Sequence, residues 1–141
     1  MKNSQVIEMR KTILSIDPGR EKCGVAVVSR SGILVKQVVA TINLLTEIGK
    51  LCDCYPVDVI IMGNGTTSKA MQLQIKAAFP DIPLQICDEY RTTDAAKIRY
   101  WQENPPRGWK RLLPTTMRVP PDPVDDYAAV ILAERYFIKN P

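Results

Sequence analysis

Short β-branched runs alternate with stretches of helical spacing along this 141-residue chain, and that alternation constrains the fold more than any other feature. The first three runs follow one another closely, and the turn from Ser29 to Gly32 predicts that the second and third form a hairpin. Each of the last two runs follows a helical stretch, which predicts parallel pairing. The predicted strands are Lys11 to Asp17, Gly24 to Ser29, Ile33 to Ala40, Val57 to Met62 and Ile82 to Cys87.

These patterns predict an α/β fold with a central mixed five-stranded sheet. In that sheet a three-stranded antiparallel part is extended by two parallel strands and flanked by helices. The predicted helices are Thr41 to Cys54, Thr66 to Phe79, Thr92 to Gln102 and Val124 to Ile138. Residues 103–121 are rich in proline, and we interpret them as a long loop that is functional or mobile.

Length and composition fit one domain over residues 1–141. A hydrophobic content of 45% is enough for a single core in a chain of this size. Residues 1–10 are polar and are expected to form a flexible leader, and Met1 to Lys11 lacks the apolar segment of a secretory signal. No stretch approaches the roughly 20 apolar residues that a membrane span needs. We therefore expect a cytoplasmic protein.

The last predicted helix places a carboxylate on its apolar face. If Asp122 is the N-cap and Pro123 the first helical residue, helical spacing centres Asp125 on the inward face. That face is formed by Ala128, Ala129, Leu132 and Tyr136. Asp126 falls at its edge and is the second candidate for a ligand. The alternative is that Asp125 only complements the helix dipole in a capping arrangement.

Two further acids stand at the ends of predicted strands. Asp17 closes the first strand and Glu89 follows the last, and sites in open α/β sheets form at the carboxyl ends of strands. We prefer Glu89 to Asp88 because successive strand residues face opposite sides. If the fold brings Asp17, Glu89 and Asp125 together, their repulsion favours a bound divalent cation, and hard oxygen ligands favour Mg²⁺ or Mn²⁺. Two such ions can drive phosphodiester hydrolysis.

Residue types that the chain lacks narrow the chemistry further. There is no histidine, which excludes Ser-His-Asp and Cys-His nucleophile systems. The four cysteines are scattered and include no C-x-x-C pair, so we expect buried, reduced thiols rather than a structural zinc site. They are Cys23, Cys52, Cys54 and Cys87.

Positive charge is concentrated late in the chain. The net charge is +4, and between Lys97 and Arg118 basic residues interleave with tyrosine and tryptophan. This pattern suits a nucleic-acid partner. The alternative is a solvated helix end and loop whose tryptophans pack on the core. The candidate phosphate contacts, which as long cations are equally compatible with solvated positions, are Arg20, Lys22, Arg91, Lys110 and Arg111.

Three segments resemble, in order and spacing, the motifs of the YqgF/RuvX family. They run from Asp17 to Val27, from Asp88 to Thr93 and from Val124 to Ala129, and the resemblance covers Thr12 to Phe137. It implies an RNase H-like fold and the activity of a Holliday junction resolvase, or of a nuclease that matures the 5′ end of precursor 16S ribosomal RNA. It also implies that Asp17, Glu89 and Asp125 are the metal-binding catalytic acids.

The chain departs from the family pattern around these acids. Lys22 stands where the family usually has an arginine, which keeps the charge but loses the planar fork. The sequence Gly63-Asn64-Gly65 replaces a usual glycine-leucine-proline, and Tyr90-Arg91 displaces an arginine expected directly after Glu89. These departures touch substrate contacts rather than the acids, so they indicate a divergent member.

The leading hypothesis is a magnesium-dependent endonuclease acting on structured DNA or RNA. Symmetric nicks in a four-way junction would require two active sites and therefore a homodimer, whereas ribosomal RNA trimming would not. One alternative is a catalytically lapsed nucleic-acid-binding module of the same fold. A sugar-kinase or actin-like ATPase is a third reading, because Asp17-x-Gly19 also resembles a phosphate motif of that superfamily. Its members need two such lobes, and this chain has room for one.

Overall fold

Five strands and four α-helices make up the described part of the protein, which in this computed structural model covers residues 11–65, 68–88, 92–106, 108, 112 and 125–140. The strands are β1 (Thr12–Asp17), β2 (Lys22–Ser29), β3 (Gly32–Ala40), β4 (Val59–Gly63) and β5 (Leu84–Cys87). A 3₁₀ turn (Thr41–Asn43) precedes α1 (Leu44–Cys54), followed by α2 (Ser68–Ala78), α3 (Thr92–Glu103) and α4 (Asp125–Lys139).

The strands form one mixed sheet in the order β3-β2-β1-β4-β5. β1 pairs antiparallel with β2, and β2 with β3, while β4 is parallel to β1 and β5 is parallel to β4. The predicted α/β fold with a three-stranded antiparallel part and two parallel strands is therefore confirmed. The hairpin turn uses Gly32 at a φ of 146°, which a side chain would disfavour.

Alternation along the strands divides the core between the two faces of the sheet. On one face Leu14, Ile16 and Met62 pack with residues of α1 and α2, including Ile48 and Ile75. On the other face, the side chains packed together are Ile13, Ala26, Val28 and Ile61 of the strands with Ala129, Val130, Leu132, Ala133 and Tyr136 of α4. The face of α4 that the sequence predicted to be buried is buried, and α4 covers the sheet as a central helix.

The aromatic residues of α3 pack against α4. Tyr100, Trp101 and Tyr127 are buried in a third cluster, with ring centroids 5.0 Å apart for Tyr100–Trp101 and 6.0 Å for Tyr100–Tyr127. Arg99 forms an ion pair with Glu134 of α4 at 2.7 Å. For this half of the basic stretch, the core-packing interpretation is therefore correct. Arg107, Trp109 and the basic residues that follow lie outside the described residues.

Several predicted boundaries and environments differ from the structure. Glu103 was predicted to begin the proline-rich loop of residues 103–121, but it is the last residue of α3. There it pairs with Arg99 and accepts a hydrogen bond from the Tyr127 hydroxyl. Three predicted features lie outside the described residues, namely residues 113–121 of that loop, the leader of residues 1–10 and the N-cap Asp122. All four cysteines are free, but only Cys23 is buried and Cys54 is exposed. No helix in the described ranges has the length and apolarity of a membrane span.

Candidate metal centre

Asp17 ends β1 at the edge where the parallel strands also end. Ile16 pairs with Met62 in β4, and Gly63, the next residue, pairs with Cys87 at the end of β5. Alternation along β1 puts Asp17 on the same face as Ile13, the face that α4 covers. Asp17 therefore lies at the carboxyl edge of the sheet, as the sequence predicted, and on the face that α4 covers.

Gly24 explains how α4 comes so close to Asp17. Gly24 is the β2 partner of Asp17, and a side chain there would collide with the carbonyl group of Asp125 and lie 2.9 Å from the backbone nitrogen of Asp126. Only a residue without Cβ lets the first turn of α4 rest on the strand. The backbone of Asp125 therefore lies against the strand partner of Asp17, although 108 positions of sequence numbering separate the two aspartates.

The carboxylate of Asp125 has one buried oxygen. Its Oδ2 atom has no hydrogen-bond donor among the described residues, and the ammonium of Lys22 stands 3.7 Å away. A buried carboxylate oxygen without a donor is costly, so its position needs a positive partner. A divalent cation is such a partner, and carboxylate oxygens are the ligands that Mg²⁺ and Mn²⁺ prefer. The donor chemistry of Asp17 and Asp125 therefore fits these metals.

Asp126, the rival of Asp125, has a different environment. Its Oδ2 atom pairs with Lys36 of β3 at 3.2 Å, and its Oδ1 atom accepts the backbone N–H of Tyr127 at 2.9 Å. The Lys36 ammonium also lies 4.2 Å from the centre of the Tyr127 ring. Burial disfavours the charged ammonium, but the hydrogen bond and charge of Asp126 outweigh it and raise the pKa of Lys36. Both oxygens of Asp126 are engaged, which favours Asp125 as the ligand.

The turn that follows Asp17 is held by Thr41. The Thr41 hydroxyl donates a hydrogen bond to the Gly19 carbonyl at 2.9 Å, and its backbone N–H donates to Glu21 at 2.8 Å. The turn places Arg20 on the exposed surface and Lys22 at the start of β2 beside Asp125. Of the five predicted phosphate contacts, these two therefore lie near Asp17. The other three, Arg91, Lys110 and Arg111, are outside the described residues.

The third predicted acid, Glu89, is also outside the described residues. Strand alternation was our reason to prefer Glu89 to Asp88. Because β5 ends at Cys87, before both residues, that reason does not apply. Asp88 lines a cavity of about 180 Å³ with Cys87, Arg135 and Lys139. Burial raises the pKa of the Cys87 thiol, and Lys139 partly offsets this. Within the described ranges no group of three acidic, cysteine or histidine side chains is clustered as a metal site, so the ligand role of Glu89 stays a prediction.

The sequence reasoning missed three residues that shape this centre. Gly24 fixes the approach of α4, Thr41 holds the turn after β1, and Lys36 engages Asp126. A glycine inside a β-branched strand was a usable signal, because it often marks a close backbone approach. The pairing of Lys36 with Asp126 had no signal in the sequence, since the two residues are 90 positions apart.

Comparison with solved structures identifies the architecture. Thermus thermophilus RuvC in complex with a Holliday junction substrate aligns with a TM-score of 0.59 and 14% identity, over 92% of this chain and 96% of that chain. Another Thermus thermophilus RuvC structure aligns over the same shares with a TM-score of 0.59 and 12% identity. The Fowlpox virus resolvase, in complex with Holliday junction DNA, aligns with a TM-score of 0.55 and 13% identity, over 92% of this chain and 98% of that chain.

Sequence comparison adds no relative to these structures. No protein-family model and no curated protein sequence matches the chain, so membership of the YqgF/RuvX family remains a prediction. At 12–14% identity the structural likeness establishes the fold alone. The chain has the RNase H-like fold that is seen in RuvC-type Holliday junction resolvases.

Proposed function

We propose that this protein is a divalent-metal-dependent endonuclease that hydrolyses phosphodiester bonds in structured nucleic acid. The observation that carries the proposal is the contact of the Asp125 backbone with Gly24, the strand partner of Asp17, at the carboxyl edge of the sheet. Glu89, which follows β5 by two residues, is proposed as the third metal-binding catalytic acid. Because no histidine is available, carboxylates and bound metal are the groups suited to activating water.

The residues of the chain have distinct tasks in this proposal. Asp17 and Asp125 hold the cation between β1 and α4, and Gly24 of β2, the strand partner of Asp17, allows the close approach of α4. Divalent cations, two in the mechanism we propose, would supply a water nucleophile at neutral pH and stabilise the leaving oxygen. Arg20 and Lys22, which follow Asp17 in the chain, are proposed to bind substrate phosphates near the acids.

A four-way DNA junction and a precursor ribosomal RNA are the two substrates that we propose. The net charge of +4 and the predicted contacts Arg91, Lys110 and Arg111 support a polyanionic partner of either kind. The likeness to two resolvase structures that contain Holliday junctions supports testing the junction first. If the junction is the substrate, its two symmetric nicks require a homodimer.

A substrate panel tests the proposal. Labelled four-way junctions, linear duplexes of the same sequence and a structured ribosomal RNA precursor would be incubated with Mg²⁺, Mn²⁺ or EDTA. We expect metal-dependent cleavage of one structured substrate, and loss of the products in Asp17→Asn, Asp125→Asn and Glu89→Gln. Cleavage that persists in EDTA, or in both aspartate variants, would refute the metal mechanism.

A non-catalytic nucleic-acid-binding module is the second candidate function. One observation favours it, because the Lys22 ammonium already offers positive charge to Asp125 at 3.7 Å without any metal. Such a module would bind the junction or the RNA with strong salt dependence and would give no products with any metal. The same substrate panel, read by gel shift at several salt concentrations, separates the two candidates.

A further inference from the structure

Two adjacent aspartates at the start of α4 each face a lysine from the β2–β3 hairpin. Lys22, the first residue of β2, stands 3.7 Å from the Oδ2 atom of Asp125. Lys36, in the middle of β3, stands 3.2 Å from the Oδ2 atom of Asp126. The two pairs carry the same charges and lie side by side, yet their geometry differs.

The Lys36–Asp126 pair is held by several interactions. It is a hydrogen bond as well as an ion pair, the ammonium lies over the Tyr127 ring, and 30% of the Lys36 side chain is exposed. Asp126 is engaged a second time by the backbone N–H of Tyr127. Because these contacts support one another, this pair is a fixed part of the structure that joins β3 to α4.

The Lys22–Asp125 pair is loose in comparison. The separation of 3.7 Å is too long for a hydrogen bond, and 54% of the Lys22 side chain is exposed. The Oδ2 atom that it faces is buried and has no donor among the residues that the structure describes. Lys22 therefore supplies charge to Asp125 without forming a bond that would be costly to break.

We propose that Lys22 is an exchangeable counterion of Asp125, which neutralises the carboxylate in the metal-free protein and gives it up when a divalent cation binds. This inference rests on the metal site of the proposed function. An ammonium and a divalent cation at the same carboxylate repel each other, so metal binding and the Lys22 contact are linked with opposite sign. Lys22 lowers the metal affinity of the site, and its freed ammonium becomes available to a substrate phosphate.

The residue type suits this exchange. Lysine carries a compact charge on a flexible four-carbon stem, whereas arginine would grip the carboxylate through a planar fork. We therefore expect Lys22→Arg to bind the metal no more tightly than the wild-type protein. Lys22→Met, which keeps a similar stem and removes the charge, should bind it more tightly.

Metal affinity, measured by Mn²⁺ titration with electron paramagnetic resonance on the full chain, tests this directly. We expect Lys22→Met to bind Mn²⁺ roughly fivefold more tightly than wild type at low salt, the scale of one exposed ion pair. The difference should narrow as ionic strength rises, because the competing charge is screened. Lys50→Met makes the same charge change at the Lys50–Glu47 ion pair of α1, which lies outside the proposed metal site, and should leave the Mn²⁺ affinity unchanged.

The outcomes of this titration separate the counterion role of Lys22 from the proposed endonuclease function. Equal or weaker Mn²⁺ binding by Lys22→Met, an equal gain in Lys50→Met, or no saturable binding in the wild type would overturn the inference. Thermal unfolding of each metal-free variant verifies that it is folded. Tighter Mn²⁺ binding by Lys22→Met without cleavage of any substrate would support the counterion role of Lys22 and refute the proposed endonuclease function. Cleavage of a substrate, together with identical Mn²⁺ affinities of Lys22→Met and wild type, would support the endonuclease function and refute the counterion role.

Discussion

Replacement of Gly24 by alanine should separate the two elements that carry the proposed acids. The added methyl group would collide with the Asp125 carbonyl and lie 2.9 Å from the Asp126 nitrogen. These are backbone atoms, which cannot rotate away as a side chain can. To reach the roughly 3.5 Å of ordinary van der Waals contact, the first turn of α4 must withdraw from β2 by more than about 1 Å.

The cost follows from this displacement. Overpacking of this kind typically costs about 1–3 kcal/mol. In a chain of this length, each kcal/mol lowers the melting temperature by roughly 3–4 °C, so we expect a decrease of about 3–12 °C. A catalytic group misplaced by about 1 Å loses on the order of 100-fold in rate, and we expect a loss of that order for cleavage by Gly24→Ala. Calorimetry and a single-turnover cleavage assay measure the two effects.

Gly49→Ala is the matched control for this prediction. A methyl group at Gly49, inside α1, would meet only the Phe79 ring at 3.9 Å, which is ordinary contact. Alanine is a better helix former, so this variant should gain up to about 1 kcal/mol of stability and keep full activity. A Gly24→Ala protein with wild-type melting temperature and cleavage rate would refute the close approach of β2 and α4.

Two further predictions concern stability in alkali and thiol reactivity. The pKa of Lys36 is raised from 10.5 because its bond to Asp126 outweighs burial, and burial with the Glu103 bond raises that of Tyr127 from 10.0. When the pKa of a group is higher in the folded than in the unfolded protein, the group stabilises the fold at any pH below its unfolded pKa. This stabilisation is lost as the pH rises through the folded pKa, so the unfolding free energy should fall above about pH 10. Urea titrations at several pH values test this, and an undiminished value at pH 11.5 would contradict it. In the native protein a thiol reagent should modify exposed Cys54 first and buried Cys23 only after unfolding, so early labelling of Cys23 would contradict its burial.

The sheet was predictable because its signals are local. Period-two alternation and β-branched runs identified all five strands, and the intervening helical stretches determined which strands are parallel. Boundaries were less certain, since the prediction for β2 missed its first two residues, Lys22 and Cys23. The packing of Tyr100 and Trp101 against Tyr127 could not be read from the sequence, because a basic aromatic stretch fits a core and a nucleic-acid surface equally well.

The centre itself was predictable only in part. The strand end placed Asp17 at the carboxyl edge. Helical spacing centred Asp125 on the buried face of α4, but its side chain is 31% exposed, against 15% for Asp126. The sequence already ranked Asp125 above Asp126, but the contact of Asp126 with Lys36, which supports that ranking, could not be predicted because Lys36 lies on a distant strand. The same holds for the contact between Lys22 and Asp125, which joins β2 to a helix about 100 positions later.

Single-turnover cleavage of a four-way junction by Asp125→Asn and Asp126→Asn tests the central claim most directly. The two variants remove one charge each from adjacent residues, but Asp125 has a buried oxygen without a donor among the described residues, whereas Asp126 is bound to Lys36. The account predicts a loss of about a thousandfold or more for Asp125→Asn. For Asp126→Asn it predicts near wild-type cleavage, with a loss of about 1 kcal/mol in stability. Equal activities, or a greater loss in Asp126→Asn, would contradict it.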